Sequence, residues 1–97
     1  MKLSTLGLMR KVGCLVFGFD AVGREITSTS SDISGILITR DLSVKTRKEL
    51  EFLRDKHKRD IKIVELDIDM DETEKILGKR TGIIAVMEEG FWRSAEQ

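Results

Sequence analysis

The chain has 97 residues, which suits one hydrophobic core, so we predict a single domain over residues 1–97. Apolar residues make up 40% and charged residues 35%, a balance typical of a compact soluble protein rather than a disordered one. Seventeen basic and seventeen acidic residues give zero net charge, so any polyanion site must be local. No apolar run reaches membrane length, no secretion signal is recognisable, and Cys14 has no second cysteine to pair with. These features predict a cytoplasmic location and no membrane contact.

Segments with helical spacing of apolar residues alternate with short apolar runs of strand length. In chain order, the predicted elements are helix 3–12, strand 14–17, helix 21–26, loop 27–34, strand 35–39, helix 43–57, strand 61–66, helix 71–77, strand 83–87 and helix 88–96. This alternation predicts an α/β fold, specifically a three-layer α/β/α sandwich around a four-stranded mixed sheet.

Capping residues and glycines mark the boundaries of several elements. Ser43 is a candidate N-cap for the helix that follows it, and Asp71 with Glu74 three residues later has the spacing of a capping box. Gly78 follows a helix at the position where a left-handed residue is preferred. Residues 35–39 are rich in β-branched side chains and lack alternation, which predicts a central strand covered on both faces.

The sequence does not indicate catalysis or metal binding. Cys14 and His57 are the sole thiol and imidazole, and their pairing would require a strand residue to meet the end of a distant helix. The acidic residues cluster in 65–74 without histidine, and without the central glycine and closing glutamate of a calcium loop. We therefore expect no enzymatic activity, no metal, no cofactor and no small-molecule substrate.

Two short segments have the composition of polyanion sites. Gly18 forms a turn directly before a helix, where backbone N–H groups can face a phosphate, and Arg24 follows about one helical turn later. Residues 78–82 form a second glycine-bounded loop, which contains two cations and a hydroxyl, just before a strand. Either segment alone is more often an ordinary turn.

A resemblance to a known family connects these two segments. Matching segments follow one another in register at residues 6–13, 15–18, 22, 24–26, 35–39, 41–50, 78–80, 83–86 and 89–91. Together they resemble the kink-turn RNA-binding ribosomal proteins, which include large-subunit proteins seven-Ae and thirty-e and their small bacterial relatives. The resemblance implies the same α/β/α sandwich.

The resemblance also implies that the chain binds RNA. In this family the glycine-led helix start and the loop before the last strand together hold a kink-turn, a sharply bent RNA with tandem sheared G·A pairs. Structured RNA of ribosomal type is therefore the expected partner. The implied RNA-binding residues are Gly18, Phe19, Asp20, Arg24, Arg40, Lys79, Arg80 and Thr81.

An alternative function remains open from the same residues. Cys14 and Ala21 stand where relatives commonly have polar or basic side chains, and Phe17 stands where they have a small one. Phe17 and Phe19 could stack on a base or could pack beside the glycine turn. The alternative is a protein of this fold that has lost kink-turn binding and acts as a protein-protein interaction module through Cys14, Phe17 and Phe19.

Overall fold

The computed structural model describes residues 3–57 and 60–96. Residues 1, 2, 58, 59 and 97 of the predicted domain lie outside the described residues. The elements of the described part are, in order, α1 (Leu3–Val12), β1 (Leu15–Phe17), α2 (Phe19–Thr27), β2 (Gly35–Ile38), α3 (Val44–Lys56), β3 (Ile63–Glu65), α4 (Met70–Leu77), β4 (Ile83–Val86) and α5 (Glu89–Glu96). None of these described helices is long and apolar enough to cross a membrane.

The four strands form one mixed sheet in the order β1-β4-β2-β3. β4 runs antiparallel to both of its neighbours, whereas β2 and β3 are parallel and are joined through α3. The two central strands, β2 and β4, are buried along their whole lengths. The predicted α/β class and mixed four-stranded sheet are confirmed.

Side chains of the central strands alternate between two hydrophobic cores. Leu37 and Ile84 point into the core beneath α1, α4 and α5, while Ile36 and Ala85 point into the core beneath α2 and α3. Because the strand period is two residues, one short buried strand supplies both cores. The sheet is thus covered by helices on both faces, and the predicted three-layer sandwich is confirmed.

Two predicted helix boundaries are confirmed by their capping geometry. The Ser43 hydroxyl accepts a hydrogen bond from the Thr46 N–H at 3.1 Å, as an N-cap does. Gly78 follows α4 in the left-handed conformation, with φ 72°.

The predicted capping box was wrong by two residues. Asp69, not Asp71, is the N-cap of α4: its carboxylate accepts from the Glu72 N–H at 2.9 Å, and the Glu72 carboxylate accepts from the Asp69 N–H at 3.4 Å. Both pairs have the same spacing in sequence, so spacing alone could not separate them. Ile68 is buried directly before the true N-cap, and this burial fixes where the helix begins.

The last helix docks on the sheet through Trp92. The indole is buried, and it lies so close to Gly35 that a Cβ at that position would overlap the ring. Gly35 is therefore required by close packing between β2 and α5.

Candidate nucleic-acid interface

The two segments singled out from the sequence meet at one end of the sheet. β1 ends at Phe17, which lies opposite Ile84 near the start of β4. The next residue, Gly18, donates its N–H to the Ile83 carbonyl at 2.9 Å. The turn before α2 therefore lies beside the loop of residues 78–82, which ends directly before Ile83, and we call the two segments together the two-loop surface.

Gly18 gives this surface its backbone shape. Its φ of 88° and ψ of 157° place it in a region that essentially only glycine occupies, and no side chain caps the helix that follows. A Cβ at Gly18 would meet nothing within 4 Å, so the space in front of it is open. The first-turn N–H groups of α2 have no acceptor within the helix and are oriented for an external one.

Asp20 and Arg24 lie on α2 behind this turn, and both are exposed. Asp20 brings a carboxylate, an acceptor of hydrogen bonds, into the first turn of the helix. In residues 3–57 and 60–96, no carboxylate lies within ion-pair distance of Arg24. Its guanidinium is available to an anion from outside the chain.

Lys79 connects the second loop to β1. Its ammonium lies 5.7 Å from the centroid of the half-buried Phe17 ring, within cation-π range. Among the described residues, no carboxylate pairs with Lys79. The ammonium is therefore held over the ring while its charge remains uncompensated.

Arg10 is a further cation at this surface, and sequence reasoning missed it. A Cβ at Gly78 would lie 3.0 Å from Arg10 Nη2, so the guanidinium rests against the turn that ends α4. The described part of the chain provides it with no ion pair. Its position depends on the packing of α1 against α4, which no local pattern shows.

Thr81 is buried within the loop. Its hydroxyl donates to the Ile83 carbonyl at 3.0 Å and accepts from the Ile83 N–H at 3.2 Å. The Thr81 carbonyl accepts from the Thr73 hydroxyl of α4 at 2.8 Å. The position of Thr81 thus suits it to holding the loop against α4 rather than to direct contact with a ligand.

Arg40 and Arg80 are both paired with carboxylates of the acidic segment 67–72. Arg40 donates to the Asp67 carbonyl at 2.8 Å and to Glu72 Oε1 at 3.2 Å, and Arg80 pairs with Asp71. Both guanidiniums remain about half exposed, with 44% and 51% of the side chains accessible. Exposed ion pairs contribute little, about 0–1 kcal/mol, so an incoming phosphate can replace these carboxylates.

The far end of the loop is anchored to β2. The Thr39 N–H donates to the Gly82 carbonyl at 3.0 Å, and a Cβ at Gly82 would crowd Met70 Cε at 2.8 Å.

The Thr39 hydroxyl and, less strongly, the Met70 N–H lower the pKa of Asp41. The Met70 N–H donates to Asp41 at 3.2 and 3.3 Å. Within residues 3–57 and 60–96 the buried Thr39 hydroxyl has no well-aligned hydrogen-bond partner, although it is the main cause of the lowered Asp41 pKa.

The residues of the alternative interface are not equally accessible. Cys14 is 8% exposed, its thiol donates to the Met9 carbonyl at 3.4 Å, and burial raises its pKa. Phe17 lies beneath Lys79, so Phe19 is the residue of this set that faces a groove. His57 is exposed at the end of α3, and the sheet separates it from Cys14, which belongs to the opposite core.

Comparison with known proteins shows the fold and leaves the ligand open. No family model matches the chain, and no curated protein matches it. A solved structure of a protein with unknown function from Bacillus halodurans C is similar, with a TM-score of 0.81 and 21% sequence identity. The match covers 97% of this chain and 91% of that one. At this identity the likeness is evidence for the α/β sandwich and for nothing further.

Proposed function

We propose that this chain is a cytoplasmic RNA-binding protein of the kink-turn type, which recognises a sharply bent RNA of ribosomal kind through the two-loop surface. One observation carries the proposal: the hydrogen bond from Gly18 to Ile83, the first residue of β4, brings the Gly18 turn beside the end of the 78–82 loop, although the two segments are far apart in sequence. Three cations of this region have no carboxylate partner in the described chain: Lys79 over Phe17, Arg24 on α2, and Arg10 against Gly78 at the end of α4.

The N-terminus of α2 supplies the contacts to one phosphate. Its first-turn N–H groups are uncapped and the space before Gly18 is open, so a phosphate oxygen can approach the backbone closely. Arg24 adds a charge-assisted hydrogen bond one turn further along. The Asp20 carboxylate accepts hydrogen bonds from base N–H groups, which a guanine edge offers and a phosphate does not.

The second loop supplies contacts to the other side of the bend. Lys79 and Arg10 bring positive charge to phosphates that a kink places close together. Arg80 joins them by exchanging Asp71 for a phosphate. Because a bent RNA concentrates its phosphates, a few local cations suffice and a zero net charge is tolerated.

A titration of the purified protein tests the proposal. The protein is titrated with a minimal kink-turn RNA and with a control RNA whose tandem G·A pairs are replaced by Watson–Crick pairs. We expect tight binding to the first RNA alone. Counting about three phosphate contacts, from the three cations that have no ion pair in the described chain, the association constant falls roughly 20- to 40-fold between about 50 and about 200 mM salt.

Matched variants separate this surface from general charge effects. Arg24→Ala is expected to weaken kink-turn binding by about tenfold, because it removes a charge-assisted contact. Arg93→Ala removes an equally charged side chain from α5, where it pairs with Glu89, and is expected to leave binding unchanged. Equal weak binding of both RNAs, or equal loss in both variants, would show that the two-loop surface does not recognise a kink-turn.

A further inference from the structure

An open groove lies between α2 and α3. The two helices touch where Gly23 faces Leu53, since a Cβ at Gly23 would lie 3.5 Å from Leu53 Cδ1. From there towards Phe19 the helices leave a groove of about 620 Å³. Its lining consists of Phe19, Leu53 and Phe52, with Lys45, Lys48 and Glu49 at the rim.

Phe52 is exposed without a role in the core. Its residue is 65% accessible, whereas Leu50, two positions earlier on α3, is fully buried against the sheet. Phe52 and the half-buried Phe19 of α2 together form an apolar wall that is open to solvent. The rest of the exposed surface of α3 is densely charged. Contiguous exposed apolar surface that is rimmed by charge is typical of an interaction site.

Within the described residues, the paired and the unpaired cations of α3 lie on different sides of the helix. Away from the groove, Arg47 pairs with Glu51 and Glu65, and Arg54 pairs with Asp55.

At the groove, Lys45 and Lys48 have no carboxylate within ion-pair distance in the described part of the chain, and Glu49 is the single acid beside them. The rim thus carries an excess of positive charge beside an apolar floor, and its complement is an acidic, amphipathic partner.

We propose that the α2–α3 groove binds an acidic amphipathic helix of a protein partner. Its apolar side chains, spaced one helical turn apart, insert between Phe19 and Phe52, and its Asp or Glu side chains pair with Lys45 and Lys48. Glu49 offsets part of this positive charge but leaves the two lysines in excess. This proposal does not depend on RNA binding, because Phe52, Lys45 and Lys48 lie outside the two-loop surface.

A nucleotide fits this groove less well than a peptide. The edges of a base carry hydrogen-bonding groups, and the apolar walls around Phe19, Leu53 and Phe52 offer them no partners. A base stacked on this open surface gains no hydrogen bond that would select it, whereas leucine or phenylalanine side chains of a peptide bury apolar surface against these walls.

The test uses a synthetic probe and the whole protein. The probe is a fluorescently labelled, stapled helical peptide of about 15 residues with Leu at positions i, i+3, i+4 and i+7 and Glu at its other positions. The control peptide has Lys in place of every Glu. Fluorescence anisotropy measures both dissociation constants. We expect saturable binding of the acidic peptide and at least tenfold weaker binding of the basic one.

Protein variants locate the binding. Phe52→Ala is expected to raise the dissociation constant of the acidic peptide at least tenfold, because it removes a central aromatic anchor. The double variant Lys45→Glu with Lys48→Glu is expected to do the same. Val44→Ala serves as the matched control, because Val44 is 68% exposed on the same helix and lies outside the groove.

Three outcomes would overturn the proposal. The first is that the acidic peptide shows no saturable binding, or that it binds Phe52→Ala as tightly as wild type. The second is a loss of kink-turn RNA binding in Phe52→Ala without peptide binding, which would assign the groove to RNA. The third is self-association in sedimentation that Phe52→Ala removes, which would make a second copy of the chain the occupant. Circular dichroism of each variant checks folding, which the exposure of Phe52 should preserve.

Discussion

Replacing Gly18 by alanine isolates the backbone requirement of the two-loop surface. The added methyl group would meet nothing within 4 Å, so packing does not oppose it. The backbone does, because φ 88° with ψ 157° is a conformation that L-residues rarely adopt. We expect Gly18→Ala to lower the free energy of unfolding by about 1–3 kcal/mol, all of it from backbone strain.

Gly7→Ala provides the matched control for this substitution. Gly7 lies within α1, and a Cβ there would also meet nothing within 4 Å. Gly7 is not among the glycines with positive φ, so the same methyl group is expected to stabilise the helix by up to ~1 kcal/mol. The two substitutions therefore add the same atoms in open space and should change stability in opposite directions.

Urea denaturation measures both effects, with the slope m unchanged if the unfolded ensemble is the same. In thermal melts each kcal/mol corresponds to roughly 4–8 °C for a domain of this size. Equal stability of the Gly18→Ala and Gly7→Ala proteins would refute the backbone argument. If Gly18→Ala destabilises the protein and yet leaves kink-turn affinity unchanged, the N-terminus of α2 does not take part in RNA binding.

Three further predictions concern packing and titration. Gly35→Ala forces the Trp92 indole aside and should cost roughly 1–3 kcal/mol, with a shift in tryptophan fluorescence. Because the pKa of Asp41 is lowered, this carboxylate stabilises the fold above pH 3.8, the pKa of an unperturbed carboxyl, and the contribution is lost as pH falls through the folded-state pKa. The unfolding free energies of Asp41→Asn and wild type should therefore converge at low pH. A difference that stays constant with pH would contradict this. Because the pKa of Cys14 is raised, the contribution of this thiol to folding stability is intact below pH 9.0 and is lost as pH rises further. Alkylation of the native thiol should therefore be slow, and Cys14→Ala should reduce the loss of stability at alkaline pH.

Local rules were sufficient to predict most element boundaries. The end of α4 at Gly78 and the start of α3 at Ser43 follow from backbone and side-chain preferences within four residues. The start of α4 did not follow, because Asp69 with Glu72 and Asp71 with Glu74 have equal spacing. The choice depends on the burial of the preceding segment, which belongs to the tertiary fold.

The candidate surface was partly predictable for a similar reason. Gly18 and the 78–82 loop were found because glycine and charge content mark them in the sequence. Arg10 was missed because its position requires the packing of α1 on α4. The internal hydrogen bonds of Thr81 also required the structure, since a hydroxyl in a basic loop gives no sign of which partner it takes.

The distribution of ion pairs explains how a chain of zero net charge can have positive sites. The acidic segment 67–72 lies beside Arg40 and Arg80 and compensates them. It pairs with Arg80 in the 78–82 loop but with none of Arg10, Arg24 and Lys79, so these three cations have no ion pair in the described chain. The same holds for Lys45 and Lys48 of the α2–α3 groove. Electrostatic attraction at these places acts over about one Debye length, ~8–10 Å at physiological salt, and is therefore set by the nearest side chains rather than by the sum over the chain. A partner must accordingly bring concentrated negative charge to a specific place, and both a bent RNA and an acidic helix do so.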